Sequence, residues 1–146
     1  MEDVAGRVLI DHALEAAKNA HAPYSKFGVG AALLLEDGSI VPGTNFENAS
    51  YGLSLCAETV AVARASAEGR MRDVVAVGIV GGMSGREGVE PILPCGRCRQ
   101  VLNEAAQAGR RDLAIWCSGL TGGPIASYTL AELLPHAFGP ANLGIA

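Results

Sequence analysis

The spacing of three cysteines constrains this chain more than any other feature of its sequence. Pro94-Cys95-Gly96-Arg97-Cys98 opens one predicted helix, and Cys56-Ala57-Glu58 opens another earlier in the chain. Two thiolates at a helix start can reach one point at the bond length of about 2.3 Å that zinc requires, and Cys56 can supply a third ligand. Three protein ligands leave a fourth position for water, which is typical of a catalytic zinc site.

Glu58 is interpreted as the acid–base residue of this site. Cys56 and Glu58 are two positions apart, so they do not share a helix face and cannot both bind a metal comfortably. A glutamate that leans over the metal-bound water can accept its proton and return it to a substrate. The pattern therefore predicts hydrolytic chemistry in which Glu58 serves first as general base and then as general acid.

Other readings of these residues are weaker. A Cys-x-x-Cys pair alone is also compatible with redox chemistry, but that motif normally follows a thioredoxin-type strand, and Cys56-Ala57-Glu58 would then be unexplained. Cys117 lies in the middle of an apolar segment and is interpreted as a small buried residue. The three histidines follow no ligand spacing, so no direct role is predicted for them: His12, His21 and His136.

Composition and charge exclude several classes of partner. The chain has 146 residues, of which 49% are hydrophobic and 18% charged, as in globular domains. No apolar run approaches the roughly 20 residues that cross a bilayer. The acidic start Met1-Glu2-Asp3-Val4 lacks the basic region of a signal peptide, so we expect a cytoplasmic protein with reduced thiols. Its 11 basic residues are scattered and outnumbered by 15 acidic ones, which disfavours a nucleic-acid partner.

The hydrophobic pattern predicts a single domain over residues 1–146 in which helices and strands alternate. The predicted elements are a helix at 4–20, strands at 29–35 and 40–41 around an Asp-Gly turn, a helix at 55–68, a strand at 74–80, a helix from 95 to about 109, a strand at 113–117 and a short helix at 130–134. This order predicts an α/β fold with a mixed sheet and helices on both faces.

Longer stretches of the chain resemble the small homotetrameric cytidine deaminases over nearly its whole length. Residues 45–53 discriminate best, because base-editing relatives of that family lack the Asn-Phe-Glu-Asn segment. The matching stretches are 22–33, 45–53, 56–58, 94–96, 98–101, 132–135 and 137–138. The resemblance implies a three-layer α-β-α fold with a roughly five-stranded mixed sheet and one Zn²⁺ per chain. It also implies hydrolysis of cytidine and 2′-deoxycytidine to uridine and 2′-deoxyuridine with release of ammonia, as in pyrimidine salvage.

The resemblance also implies substrate contacts. Asn45 and Glu47 resemble the pair that binds the ribose 3′-hydroxyl, and Phe27 resembles the aromatic that packs on the cytosine ring. Ala57 resembles the residue whose backbone amide holds the base carbonyl oxygen. The carbonyl of Leu93 lies where the family receives the leaving amino group. Taken without the resemblance, Asn45 and Glu47 would be read as a polar turn and Phe27 as a core residue.

Assembly is a further implication of the resemblance. The segment Leu133-Leu134-Pro135-His136-Ala137-Phe138 resembles the C-terminal segment of the family, whose phenylalanine enters the active site of a neighbouring subunit and caps the base. The expectation is a homotetramer with shared active sites that use Phe138 from another chain. The alternative is that Phe138 packs in the core of its own chain.

One position departs from the family pattern. Many members have an arginine directly after Cys-Ala-Glu, where this chain has Thr59. Three thiolates on Zn²⁺ leave a formal charge of −1, which two helix N-termini offset in part. Arg97, inside the Cys95–Cys98 pair, is a candidate to offset the rest and tune the metal. The alternative is that Arg97 is a solvated surface residue.

Two other functions compete with nucleoside deamination. Blasticidin S deaminase shares the Pro-Cys-Gly-Arg-Cys-Arg-Gln stretch and lacks the arginine after Cys-Ala-Glu, but it also lacks the Asn-Phe-Glu-Asn segment. A zinc-stabilised interaction module without chemistry would need a fourth protein ligand, and the sequence places none there.

Overall fold

The described part of the molecule is built on a mixed β-sheet of five strands. The computed structural model describes residues 2–145, with side chains from residue 4 onward, so Met1, on which the expectation about a signal peptide partly rests, lies outside the described residues. The strands are β1 (Phe27–Leu35), β2 (Ile40–Thr44), β3 (Val74–Met83), β4 (Ala114–Gly119) and β5 (Gly122–Thr129). Their order in the sheet is β2-β1-β3-β4-β5, in which β3 and β4 are parallel and the other neighbours antiparallel.

Four α-helices within residues 2–145 cover the two faces of this sheet. Their bounds are α1 (Glu2–Ala17), α2 (Ala57–Ala67), α3 (Gly96–Ala108) and α4 (Leu130–Leu133). Successive side chains of a strand point to opposite faces, so Ala32 packs in the core beneath α1, whereas Leu33 packs in the core beneath α2 and α3. The sheet therefore lies between two helical layers, and the predicted three-layer α-β-α fold is confirmed.

A glycine on β2 lets the start of α2 lie directly on the sheet. A Cβ atom at Gly43 would lie 2.5 Å from the carbonyl oxygen of Ala57 and 2.6 Å from the amide nitrogen of Ala61. Real Cβ atoms do not approach other heavy atoms this closely, so a larger residue at position 43 would move the helix. This close packing fixes where Cys56 and Glu58 stand relative to β1 and β2.

The predicted first helix ends three residues too late. It is expected to continue to residue 20, but α1 ends at Ala17. The amides of Lys18, Asn19 and Ala20 then bond to carbonyls three residues earlier, in the tighter pattern of a 3₁₀ turn. The predicted hairpin, middle helices and short final helix are all present within one to three residues of their expected bounds.

The hydrophobic pattern misses β5 altogether, although the resemblance implies five strands. This strand lies at the edge of the sheet, and no residue of it is fully buried. Gly122 and Gly123 both have φ of +100°, so the strand begins at a turn. Glycines at such a turn are typical of a loop, which is what the sequence there indicates. Within the described chain no helix has the length and hydropathy of a membrane span.

Candidate active site

Three cysteine sulfurs meet where the N-termini of α2 and α3 converge. Cys56 is the residue that caps α2, Cys95 caps α3, and Cys98 lies in the first turn of α3. The sulfurs of Cys56, Cys95 and Cys98 all lie within 4.8 Å of one another. The Cys56 and Cys95 sulfurs are 3.7 Å apart, which matches the separation of about 3.8 Å expected between two thiolates on one tetrahedral zinc. The donor set and its spacing therefore fit the ion that the sequence predicts.

The helix ends give this cluster a favourable electrostatic setting. The N-terminus of an α-helix carries about half a positive charge, and two such ends point at the three sulfurs. Cys98 is fully buried, whereas Cys95 is exposed and Cys56 half-buried. A hydrogen bond from Cys98 lowers the pKa of the Cys56 thiol. Cys117 lies in β4, where burial raises its pKa to about 12, in agreement with its interpretation as a buried structural residue.

Glu58 lies beside the cysteine cluster in the first turn of α2. Only 3% of its surface is exposed. Burial raises the pKa of Glu58 above the ordinary range for a glutamate, and the neighbouring Cys98 thiol opposes part of this shift. A raised pKa makes the carboxylate a stronger proton acceptor than an ordinary glutamate, which suits a residue that must take up a proton and return it.

One cavity of about 410 Å³ brings together residues that the sequence analysis selected from four separate segments. Cys56, Glu58 and Cys95 line it at the cysteine cluster. The remaining lining residues from the sequence prediction are Phe27, Asn45, Glu47 and Leu93. Ala57 is fully buried at the start of α2, directly between Cys56 and Glu58. Apolar side chains supply most of the other surface of this cavity, among them Val29, Leu55 and Ile92.

Asn45 joins the loop after β2 to strand β1. Its Oδ1 accepts a hydrogen bond from the amide of Val29 at 3.0 Å, and its Nδ2 donates to the carbonyl of Phe27 at 2.7 Å. An amide side chain has two donor hydrogens and two acceptor lone pairs, so one of each remains for a ligand. Asn45 thus holds the start of β1 in place and still presents a donor and an acceptor at the cavity wall.

Glu47 is held by the segment before β1. Its Oε1 accepts hydrogen bonds from the amides of Tyr24 and Ser25 at 3.0 and 3.1 Å, and its Oε2 accepts one from the Ser25 hydroxyl. The bond from that hydroxyl, together with the two amides, lowers the pKa of Glu47 below its usual range. An ionised carboxylate accepts hydrogen bonds only, so this end of the cavity is built to receive a donor such as a sugar hydroxyl.

Comparison with known proteins decides which family has this arrangement. Residues 6–110 match the family model described as the cytidine and deoxycytidylate deaminase zinc-binding region. The chain belongs to this deaminase family. The match covers both helix starts that carry the three cysteines, so zinc is the metal that the cluster holds in the family. The predicted family and cofactor are thereby confirmed.

Individual cytidine deaminases are similar to this chain over almost their full length. One from Halalkalibacterium halodurans is 47% identical over 132 residues, which cover 90% of this chain and 92% of that protein. The crystal structure of one from Burkholderia pseudomallei has a TM-score of 0.78 at 42% identity, covering 90% of this chain and 98% of that one. For the structure from Mycobacterium tuberculosis the TM-score is 0.72 at 41% identity, with coverages of 91% and 96%.

Four of the predicted residues do not line the cavity: Ala57 and Cys98 are buried next to residues that do, whereas Phe138 and Arg97 are exposed. Phe138 is 60% exposed, so it does not pack in the core of its own chain. Its carbonyl accepts hydrogen bonds from Gln100 Nε2 at 2.8 Å and Asn103 Nδ2 at 3.0 Å, both on α3. Arg97 is exposed, and its guanidinium lies 3.5 Å from the carbonyl oxygen of Ser54. Among the described hydrogen bonds none joins Arg97 to a cysteine of the cluster.

Sequence reasoning missed two hydroxyl residues of the deaminase site. Ser25 bonds to Glu47, and Thr59 Oγ1 lies 3.4 Å from Cys98 Sγ. Ser25 belongs to the stretch 22–33 that resembles the family and lies two residues before Phe27, so the sequence does offer a signal that it belongs to the site. The contact of Thr59 joins two helices that are far apart in the chain, so the sequence does not reveal that this side chain faces the sulfur of Cys98.

Proposed function

We propose that this chain is a cytidine deaminase that hydrolyses cytidine and 2′-deoxycytidine to the uracil nucleosides and ammonia. The observation that supports this most strongly is that two different groups of residues line one cavity. Cys56, Cys95 and Glu58 form the first group, called the cysteine end below, and Asn45 and Glu47 form the second, called the sugar end. A nucleoside has the same two-part chemistry, with a reactive base at one end and sugar hydroxyls at the other.

Cys56, Cys95 and Cys98 are the proposed zinc ligands. When bound, zinc supplies a Lewis acid that lowers the pKa of a coordinated water towards neutrality. Glu58 takes a proton from the attacking water and delivers it to N3 of the cytosine ring, which makes C4 more electrophilic. The resulting hydroxide adds to C4. Glu58 then takes the second proton of this oxygen and passes it to the amino nitrogen, the bond from C4 to that nitrogen breaks, and ammonia leaves while C4 becomes the carbonyl carbon of the uracil ring.

Three further residues orient the base in this proposal. Phe27 packs against the pyrimidine ring, which an aromatic side chain at a cavity wall can do. The backbone amide of Ala57, at the first position of α2, has no partner within the helix and can donate to the base carbonyl oxygen. The carbonyl of Leu93 receives the leaving amino group. These contacts place C4 against the cysteine end of the cavity.

The sugar is bound by Asn45 and Glu47 through its 3′-hydroxyl. The free oxygen lone pair of Glu47 accepts the hydroxyl hydrogen, while the remaining Nδ2 hydrogen of Asn45 donates to the hydroxyl oxygen. Neither contact involves the 2′-position, so the proposal predicts deoxycytidine to be processed at a rate similar to that of cytidine.

The test is to follow the loss of cytosine absorbance and the release of ammonia with cytidine, deoxycytidine, free cytosine and blasticidin S. Both nucleosides should react. For free cytosine kcat/KM should fall by about 100-fold, because hydrogen bonds to a charged group contribute about 1.5–3 kcal/mol. Chelation of the metal should abolish turnover and added Zn²⁺ should restore it. Blasticidin S as the preferred substrate, or no turnover of any of the four by the zinc-loaded chain, would overturn the proposal.

We further propose that residues 1–146 form one catalytic domain that assembles into a homotetramer, acting in the cytoplasm in pyrimidine salvage. The side chain of Phe138 is exposed, and its backbone carbonyl is held by two hydrogen bonds from α3. Both observations support a role for this side chain in a neighbouring subunit. Mixing inactive Glu58→Gln subunits with Phe138→Ala subunits, after dissociation, should restore part of the activity. Mixed oligomers of verified composition that stay inactive would argue against shared sites.

A further inference from the structure

Cys98, the least exposed of the three cysteines in the cluster, has a hydroxyl group beside its sulfur. Cys98 is fully buried, and the oxygen of the Thr59 side chain lies 3.4 Å from its sulfur. Thr59 is the third residue of α2, whereas Cys98 is the third residue of α3. The contact therefore links the first turns of the two helices that carry the cysteine cluster.

Metal binding fixes the direction of this hydrogen bond. A cysteine that ligates zinc is a thiolate and has no proton to donate, so Thr59 must be the donor. Three thiolates exceed the charge of one Zn²⁺, so negative charge remains on the sulfurs, and leaving a buried sulfur without a hydrogen-bond donor is costly. Cys95 is exposed and Cys56 half-buried, so water can reach those two sulfurs but not the sulfur of Cys98.

The charge of the cluster makes a hydrogen-bond donor favourable there. Three thiolates on one Zn²⁺ leave a net negative charge, and a donor beside a sulfur stabilises it. Arg97, the candidate from the sequence, has its guanidinium on the Ser54 carbonyl rather than on a sulfur. Among the described residues the hydrogen bond to the cluster comes from Thr59 instead.

We propose that Thr59 is a positioning residue of the zinc site, which holds the Cys98 thiolate in its ligating orientation and withdraws charge from it by hydrogen bonding. The inference rests on the zinc site of the proposed function and adds to it a neutral donor in place of a cationic one. A neutral hydroxyl orients the sulfur and reduces its electron donation, but it leaves the formal charge of the site unchanged. Partners of this kind beside metal ligands typically change metal affinity by 10–100-fold.

The test compares Thr59→Val with Thr59→Ser in the full chain. Valine keeps the branched shape and removes the hydroxyl, whereas serine keeps the hydroxyl and removes the methyl group. The zinc dissociation constant, measured by competition with a chromophoric chelator, should rise about tenfold in Thr59→Val. In protein loaded with Co²⁺, the sulfur-to-cobalt charge-transfer band should move to lower energy in Thr59→Val, because the thiolate becomes more electron-rich. Thr59→Ser should return both quantities close to those of the unaltered chain.

Two outcomes would overturn the role of Thr59. One is a Thr59→Val chain with unchanged zinc affinity and an unchanged cobalt spectrum. The other is a Thr59→Ser chain that behaves like Thr59→Val, which would assign the effect to the methyl group. If Thr59→Val does not fold, Thr59→Ala provides the hydroxyl-free partner for the same comparison. An unaltered chain that binds no zinc would refute the metal site itself, which is a distinguishable result.

Discussion

The two groups of residues that line the cavity, the cysteine end and the sugar end, are held by different kinds of structure. The cysteine end stands on the first turns of α2 and α3, is packed on the sheet through Gly43, and includes a fully buried sulfur and a nearly buried carboxyl. The sugar end stands on the loop after β2 and the turn before β1, where Ser25 is exposed and Glu47 half-buried. The proposed acid–base chemistry thus lies at helix starts, whereas the proposed sugar contacts lie in loops that are open to solvent.

The largest expected effect lies at the buried end. Glu58→Gln should lower kcat by about 10²–10⁴-fold, since the amide keeps the shape of the side chain but cannot carry a proton. Zinc content, measured by atomic absorption, should stay near one per chain. Normal turnover in Glu58→Gln would show that Glu58 takes no part in proton transfer. The cysteine end would then not differ from the sugar end in the way proposed.

At the sugar end we expect an intermediate effect. Glu47→Gln should lower kcat/KM for cytidine by about 10–100-fold, because it removes a charged hydrogen-bond acceptor for the sugar hydroxyl. The matched control is 3′-deoxycytidine, which lacks the hydroxyl that Glu47 is proposed to bind. With that substrate the unaltered chain and the Glu47→Gln chain should be equally poor. A loss of the same size with both substrates would show that Glu47 acts in some other way.

Ser25 should have the smallest effect of the three, because its hydroxyl acts by supporting other residues: it donates to Glu47 and accepts a hydrogen bond from the amide of Phe27 at 3.0 Å. Ser25→Ala should raise KM for cytidine by about 2–10-fold, the range for one hydrogen bond of about 0.5–1.5 kcal/mol. Ser25 keeps the pKa of Glu47 low, so in the alanine variant protonation of Glu47, and with it the loss of binding, begins at a higher pH. The ratio of the two KM values should therefore grow as the pH falls.

The matched variant is Ser25→Thr, which keeps a hydroxyl on the same carbon. It should retain most of the affinity and the pH profile of the unaltered chain. If alanine and threonine at this position gave the same KM at every pH, the hydroxyl of Ser25 would have no part in holding Glu47.

The sequence predicted the buried end better than the exposed one. Cys56, Cys95, Cys98 and Glu58 form a short pattern of the residue types that catalytic zinc chemistry requires, so the pattern itself predicts that the four residues share one site. Asn45 and Glu47 sit in a loop, where spacing says little and only the family resemblance suggested a role. Ser25, the partner of Glu47, and Thr59, the partner of Cys98, could not be predicted for a different reason. Ser25 and Thr59 act through contacts between segments far apart in the chain, and such contacts exist only once the fold has formed.

The same difference explains the missing strand. Buried β3 is a continuous run of apolar residues, whereas β5 exposes part of every residue and begins at two glycines with positive φ. Hydrophobic patterning detects burial, so it finds the centre of a sheet and overlooks an edge. The five-stranded count came from the resemblance, which carries information about topology that local patterns do not contain.

Helix α3 connects two places that are usually considered separately. Its first turn carries Cys98, and further along Gln100 and Asn103 hold the carbonyl of Phe138. Gln107, in the last turn, accepts a hydrogen bond from the amide of Ala141. The metal-site residue Cys98 and the C-terminal segment therefore share one helix as their support, so a change in the orientation of α3 would displace both of them.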